Sequence, residues 1–205
     1  MQISELAERS GFPVATIKYY IRDGMLPRGE AKSATRAEYG EEHLSRLRLI
    51  AALADVRELP LARVREILSL IDNPGDSPID ILGRAVGALP PYAPEADDYP
   101  RARAAIETLG YTYDPRFAAV AQLESAIGAV QDAGLDWDDE IARRYGAAMT
   151  AVATAEVAPV RTMPVDKAIA YAVLGTALFE PVMLALRRLA HQHLLMSGAA
   201  TPPPP

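Results

Sequence analysis

ISELAERSGFPVATIKYYIRDGMLP, residues 3–27, decides how the rest of the chain is read. Ile3, Leu6 and Ala7 recur at helical spacing and Gly11 ends the pattern, so residues 2–10 are expected to form a short amphipathic helix. After a three-residue turn, Pro13 suits a first helical position. Ile17, Tyr20 and Ile21 then make an apolar stripe that runs out at Gly24. Two brief helices joined by a Gly-containing turn, with Thr16, Lys18, Tyr19 and Arg22 lying off the apolar stripe of the second, make a helix-turn-helix. Tyr20 faces the stripe and is assigned to the core. Residues 26–39, rich in Gly, Lys, Arg and Thr, have no helical period and are predicted to be a two-stranded wing. From Glu41 the helical period returns on Leu44, Leu47, Ile50 and Ala54. Past a break at Pro60 it continues on Leu61, Val64, Ile67, Leu68 and Ile71.

Charge supports this reading once it is divided along the chain. The net charge is −6 over 205 residues, yet residues 1–71 hold 11 Lys and Arg against 10 Asp and Glu, so the acidic excess belongs to the remainder. Between residues 18 and 36, the cations Lys18, Arg22, Arg28, Lys32 and Arg36 outnumber the anions Asp23 and Glu30. That local excess suits a phosphate backbone. With half of its residues hydrophobic the chain can bury a core, and with no cysteine it can form neither disulfides nor thiolate metal sites. No charged-then-apolar leader precedes Ile3 and Leu6, so a cytoplasmic, nucleoid-associated protein is expected.

Beyond Ile71 the pattern changes. Residues 72–100 are expected to be a linker holding one short helix: DNPGDSP, the glycine-diluted IDILGRAVGAL, and the proline-rich acidic PPYAPEADDYP. Residues 101–197 are expected to be a helical domain. One helix lies near residues 101–109, one carries Phe117, Val120, Leu123, Ile127 and Val130, and one carries Ile141, Tyr145, Ala148 and Val152. The apolar run 168–186 is expected to split at Glu180 and Pro181 into helices 165–179 and 181–196, neither reaching the ~20 residues of a bilayer span. Burial or a subunit interface is the expected use of such surface, and no membrane partner is expected. TPPPP belongs to a tail, 198–205, expected to be disordered. The predicted fold class is all-α with a small β wing: an N-terminal winged helix-turn-helix, residues 1–71, plus a C-terminal helical bundle.

The Thr16-Ile17-Lys18-Tyr19-Tyr20 run, with Gly24 and Leu26-Pro27 behind it, and the Arg36-x-x-Tyr39 pair ahead of an acidic helix start, resemble the MerR family of bacterial transcription regulators. The resemblance spans about residues 1–71. It implies a four-helix domain whose second helix enters the major groove of double-stranded DNA while the wing between the second and third helices grips flanking phosphates. On it, Lys18 falls where the family usually places Arg, Tyr19 on a DNA-contacting tyrosine, and Arg36 and Tyr39 on the wing motif. It further implies a homodimer on an inverted repeat, action on RNA polymerase at the promoter, and an effector bound by the C-terminal region. Pro13, Ala15 and Ile21 depart from the family's pattern and leave fewer side chains to reach DNA from this helix. The long helix that many relatives use for a coiled coil is interrupted after Ile71 by Gly83, Gly87 and the prolines of 90–100. A subgroup with a compact helical C-terminal domain is the closer resemblance.

Other readings are weighed beside this one. The DNA-contact set is Thr16, Lys18, Tyr19, Arg22, Arg28, Lys32, Arg36 and Tyr39, and Arg46 and Arg48 are read as surface residues. No glycine-rich phosphate loop, Gly-x-Ser-x-Gly elbow or spaced His/carboxylate set is present, so no enzyme activity and no cofactor are expected. His191 and His193, two apart, point to different helix faces and do not make a metal site. Asp136, Asp138, Asp139 and Glu140 precede a helix and are expected to cap it. An organic small molecule is the expected effector, with Tyr111, Tyr113, Phe117, Trp137, Tyr145, Met149, Tyr171 and Phe179 as candidate pocket walls and plain core as their alternative role. The rival function is a ligand-independent structural or excision-type DNA-binding factor of the same fold.

Overall fold

Helix α1 (Ile3–Ser10) stops at Gly11, whose φ of 77° is the left-handed conformation that glycine adopts without steric cost; its N–H bonds the Ala7 carbonyl at 2.9 Å. The chain re-enters helix α2 (Val14–Arg22) behind Pro13, which stands at the N-cap in extended backbone, one place before the first helical position expected for it. Strands β1 (Glu30–Ser33) and β2 (Arg36–Glu38) pair antiparallel, Glu30 opposite Glu38 and Ala31 opposite Ala37, with Lys32 as the extra residue of a bulge. Helix α3 (Glu41–Ala51) widens into a π-helical turn, Ala52–Val56, before α4 (Leu61–Asp72). Then come α5 (Pro78–Gly87), α6 (Pro100–Leu109), α7 (Ala118–Asp132), α8 (Asp139–Val157), a 3₁₀ turn Pro159–Thr162 and α9 (Val165–Ser197). The structure is a computed structural model that describes residues 1–33, 36–73 and 78–197, without the side chains of Pro78, Ile79, Ile81, Leu82 and Asp166. The wing tip at 34–35, part of the expected DNPGDSP linker (74–77) and the expected disordered tail at 198–205 lie outside the described residues.

The main core is built from the periodic positions of the first four helices: Leu6, Ile17, Leu44, Leu47, Ile50, Leu53, Val64 and Ile67 are fully enclosed. It does not stop at Ile71. Ala85 and Leu89, in and after α5, and Ile169, Val173 and Ala177, spaced four apart on one stripe of α9, pack into the same cluster. A smaller core of Tyr99, Ala102, Ile106, Val120 and Ala121 joins α6 to α7. At the start of α8, Asp138 Oδ1 accepts the Ile141 N–H at 2.8 Å, the capping role expected of that acidic cluster. Such a cap contributes about 1 kcal/mol.

One expectation is overturned. The run 165–196 is not two helices but one, α9, of 33 residues, with Pro181 inside it. A prolyl ring deletes a single N–H, so only the Ala177 carbonyl loses its i+4 donor. The buried stripe at 169, 173 and 177 fixes the helix before the proline, and an ion pair from Glu180 to Arg57 holds it at the proline itself. Residues Lys167–Ser197 are, by length and composition, enough to cross a membrane. The burial of Ile169, Val173 and Ala177 in the main core assigns the first half of that segment to the packing of this fold.

Candidate nucleic-acid interface

Helix α2 is seated by its apolar stripe. Ile17 and Tyr20 are buried, Phe12 meets the Tyr20 ring edge-on at 5.6 Å, and the C-terminal end is tied to α4 where Arg65 Nε donates to Asp23 at 3.1 Å. The Asp23 carboxylate, through its hydrogen bond and charge, holds the exposed Arg65 guanidinium above its ordinary pKa. Seating one face leaves the other free. Lys18 and Arg22 are exposed, one turn apart on one stripe, and Thr16 and Tyr19 are half-buried beside them. The Arg22 guanidinium lies over the Tyr19 ring, 5.6 Å from its centroid, which fills the gap between the two stripes.

The wing is anchored at its base. The Met1 ammonium donates to the Tyr39 carbonyl at 2.7 Å, and the Tyr39 N–H donates back to the Met1 carbonyl at 2.9 Å. The Tyr39 ring is only 9% exposed and stands edge-on to His43 at 5.1 Å. Gly29 is required here, because a β-carbon would lie 2.7 Å from the Glu38 carbonyl oxygen and 2.9 Å from the Tyr39 ring. His43 is itself buried, and its Nδ1 accepts the Gly40 N–H at 3.0 Å, which fixes the step from wing to α3. Tyr39 is thus placed to buttress the wing, with little of its ring presented outward.

The eight DNA-contact candidates differ in how free they are. Among the described residues, the side chains of Lys18, Arg28 and Arg36 make no hydrogen bond or ion pair within the chain, and neither does that of Arg48 on α3. Lys32 is engaged: its ammonium is 3.1 Å from Glu30 and 4.0 Å from Glu38, and these carboxylates, Glu30 foremost, raise its pKa. Arg46, read as a surface residue, instead donates to the Met25 carbonyl at 2.9 Å and to Asp72 at 2.9 Å, joining the turn after α2 to the end of α4. The ion pairs that join distant segments (Arg9 to Glu41, Arg46 to Asp72, Arg65 to Asp23, Arg57 to Glu180) went unread in the sequence. Partners dozens of residues apart leave no periodic signal.

The C-terminal aromatic candidates do not enclose one pocket. Trp137 stacks on Tyr145 at 6.3 Å, and Arg187 of α9 donates to the Tyr145 hydroxyl at 3.2 Å. Tyr111 donates to the Gly146 carbonyl at 3.1 Å, and Met149 is exposed on α8 one turn beyond Tyr145. Tyr113 lies under the Arg103 guanidinium, 4.8 Å away, and Tyr171 and Phe179 are partly exposed on α9. Phe117 lines a groove of about 660 Å³ between α4, α5 and the start of α7, with Arg63, Arg84 and Arg116 on its walls.

Comparison with known proteins gives these features a context. Residues 1–71 match the MerR HTH family regulatory proteins. An HTH-type transcriptional regulator, a ZntR homolog of Haemophilus influenzae, is 34% identical over 70 residues, 34% of this chain and 51% of that protein, so the match spans about half of that relative's length. A crystal structure of SCO5550 from Streptomyces coelicolor A3(2), named there as a candidate transcriptional regulator, superposes with a TM-score of 0.73 at 35% identity. It covers 94% of this chain and 95% of its own.

Proposed function

From the premise that the chain belongs to the MerR family of DNA-binding transcription regulators, which are not enzymes, we propose that it acts in the cytoplasm as a homodimer on an inverted-repeat operator. The observation that carries the DNA-docking assignment is the set of cations whose side chains have no partner among the described residues, on adjoining elements: Lys18 on α2, with Arg28 and Arg36 at the wing. Lys18, Arg22, Tyr19 and Thr16 face the major groove, and Arg28 and Arg36 meet flanking phosphates. Lys32, shared with two carboxylates, adds less, and Tyr39 supports the wing from beneath. Dimerisation is assigned to the outer half of α9, where Leu184, Leu186, Leu189, Leu195 and Met196 are 55%, 60%, 57%, 76% and 79% exposed. Apolar surface on that scale marks an interaction site. Residues 1–71 act as the DNA-binding module, with 72–100 and 101–197 as connection and C-terminal domain.

Regulation by an organic small molecule is part of the same proposal, with the Phe117 groove as its place, and RNA polymerase at the promoter is the partner that reads the outcome. Genomic footprinting of the bound sites tests the whole. An inverted repeat with promoter elements at a fixed offset is the expected result, and scattered binding without a repeated half-site would favour a structural DNA-binding factor.

A further inference from the structure

Arg57 closes the π-helical turn after α3, its amide bonding the Ala52 carbonyl at 3.1 Å. Its side chain is only 11% exposed, and a single nitrogen, Nη2, donates both to the Pro90 carbonyl at 2.7 Å and to Glu180 Oε2 at 2.9 Å. Three segments meet on one guanidinium: the end of the helix-turn-helix module's third helix, the proline-rich connection, and α9.

Glu180 sits at a seam in α9. Before it, Ile169, Val173 and Ala177 are buried with the DNA-binding module; beyond it, the helix turns its leucines to solvent. Pro181 follows at once and has no N–H for the Ala177 carbonyl, so the helix's own bonding is thinnest where Arg57 grips it from outside. A desolvated ion pair adds little net stability, because removing both charges from water costs about what their attraction returns, but it does fix one arrangement over others. Burial pushes the Glu180 carboxyl up, with Arg57 opposing the shift.

We propose that Arg57 and Glu180 are positioning residues that set the direction in which the outer half of α9 leaves the DNA-binding module, and so determine the half-site spacing that the dimer accepts. This rests on the dimer reading of that outer half. One added base pair moves a half-site by about 3.4 Å and turns it by about 35°. An arm pinned at Glu180 meets that mismatch as strain, whereas an arm free to pivot at Pro181 absorbs it.

The test uses the full chain and an operator selected from random duplexes by the wild-type protein, then rebuilt with its spacer one base pair shorter or longer. Wild type should lose about tenfold or more in affinity for either altered spacer. In the double variant Arg57→Met with Glu180→Met, which removes both charges together, the loss should shrink to about threefold or less. Its affinity for a single half-site should stay near wild type, and its melting temperature should fall by no more than about 2–4 °C, the cost of the lost Arg57–Pro90 hydrogen bond. Glu180→Gln, which keeps the length and one acceptor oxygen, should fall between them. An unchanged spacing penalty in a folded double variant overturns the proposal. So does a parallel loss of half-site binding, or collapse of both variants, since either shows that the pair serves the fold alone. A wild-type protein that is monomeric on its operator rejects the dimer reading and this proposal with it, an outcome distinct from a dimer indifferent to the pair.

Discussion

Single side chains on the candidate interface differ chiefly in whether the fold has already used their charge. Arg36 has no side-chain partner among the described residues, so Arg36→Ala should weaken specific and non-specific duplexes alike and lower the magnitude of the salt slope by about one, the signature of one lost phosphate contact. Lys32→Ala should change that slope by clearly less, because Glu30 and Glu38 already balance its ammonium. Equal slopes for the two variants, from binding titrations at several salt concentrations, would refute this ranking. Lys18→Ala should in addition cost about 1–3 kcal/mol of discrimination at one operator position if its ammonium reaches a base edge. The titration of Glu180 offers a further test. Burial raises its pKa in the folded chain above the unfolded value, so its contribution to stability is full below the ordinary carboxyl range and is lost as pH rises through the raised value. Glu180→Gln lacks this dependence. Chemical denaturation from acid to neutral pH should therefore show wild type losing ground relative to the Gln variant just above the ordinary carboxyl range. A constant difference would remove burial as the cause.

At the scale of elements, what the sequence could foretell was what repeats locally. Helices α1 to α4 follow from apolar spacing with Gly11, Gly24 and Pro60 as punctuation, and the wing from the absence of a helical period in a Gly- and Arg-rich stretch. The continuity of α9 did not follow, because Pro181 is a helix breaker by local rules and is overruled only by packing at residues 169–177, which no local pattern reveals. The cations of the candidate interface were visible as a cluster, but not that Lys32 is shared or that Tyr39 is buried beneath the wing. Arg57 carried no signal, since its partner is 123 positions away. The element it terminates offers its own test. Glu58 follows the π-helical turn at φ 54°, the left-handed region, while Leu59 N–H reaches back to the Leu53 carbonyl at 3.1 Å. A side chain there is strained, and Glu58→Gly should stabilise the protein by about 1 kcal/mol in thermal or denaturant unfolding. A loss of stability would show that the Glu58 side chain supports the turn.

For the whole molecule, the inner half of α9 packs into the main core and the outer half exposes its leucines, the surface proposed above for dimerisation. Truncation after Pro181 keeps the stripe that completes the main core and removes the exposed leucines, so the shortened chain should stay folded and sediment as a monomer. Dimerisation as strong as that of the intact chain would move the interface elsewhere, for instance to the exposed face of α8 around Met149. The completion of the first module by Ile169, Val173 and Ala177 also bears on how the protein comes into being. Synthesis proceeds at about 5–20 residues per second, so the stretch from Ile71 to Ile169 takes roughly 5–20 s to emerge after the helix-turn-helix has been made. During that interval the nascent module has an open apolar flank. A product cut short midway would carry the cations proposed to meet DNA but would lack the stripe that completes the core beneath them. On the proposed DNA-binding role, operator occupancy should therefore depend on finished chains, and a chain cut short before Ile169 should be the more readily proteolysed.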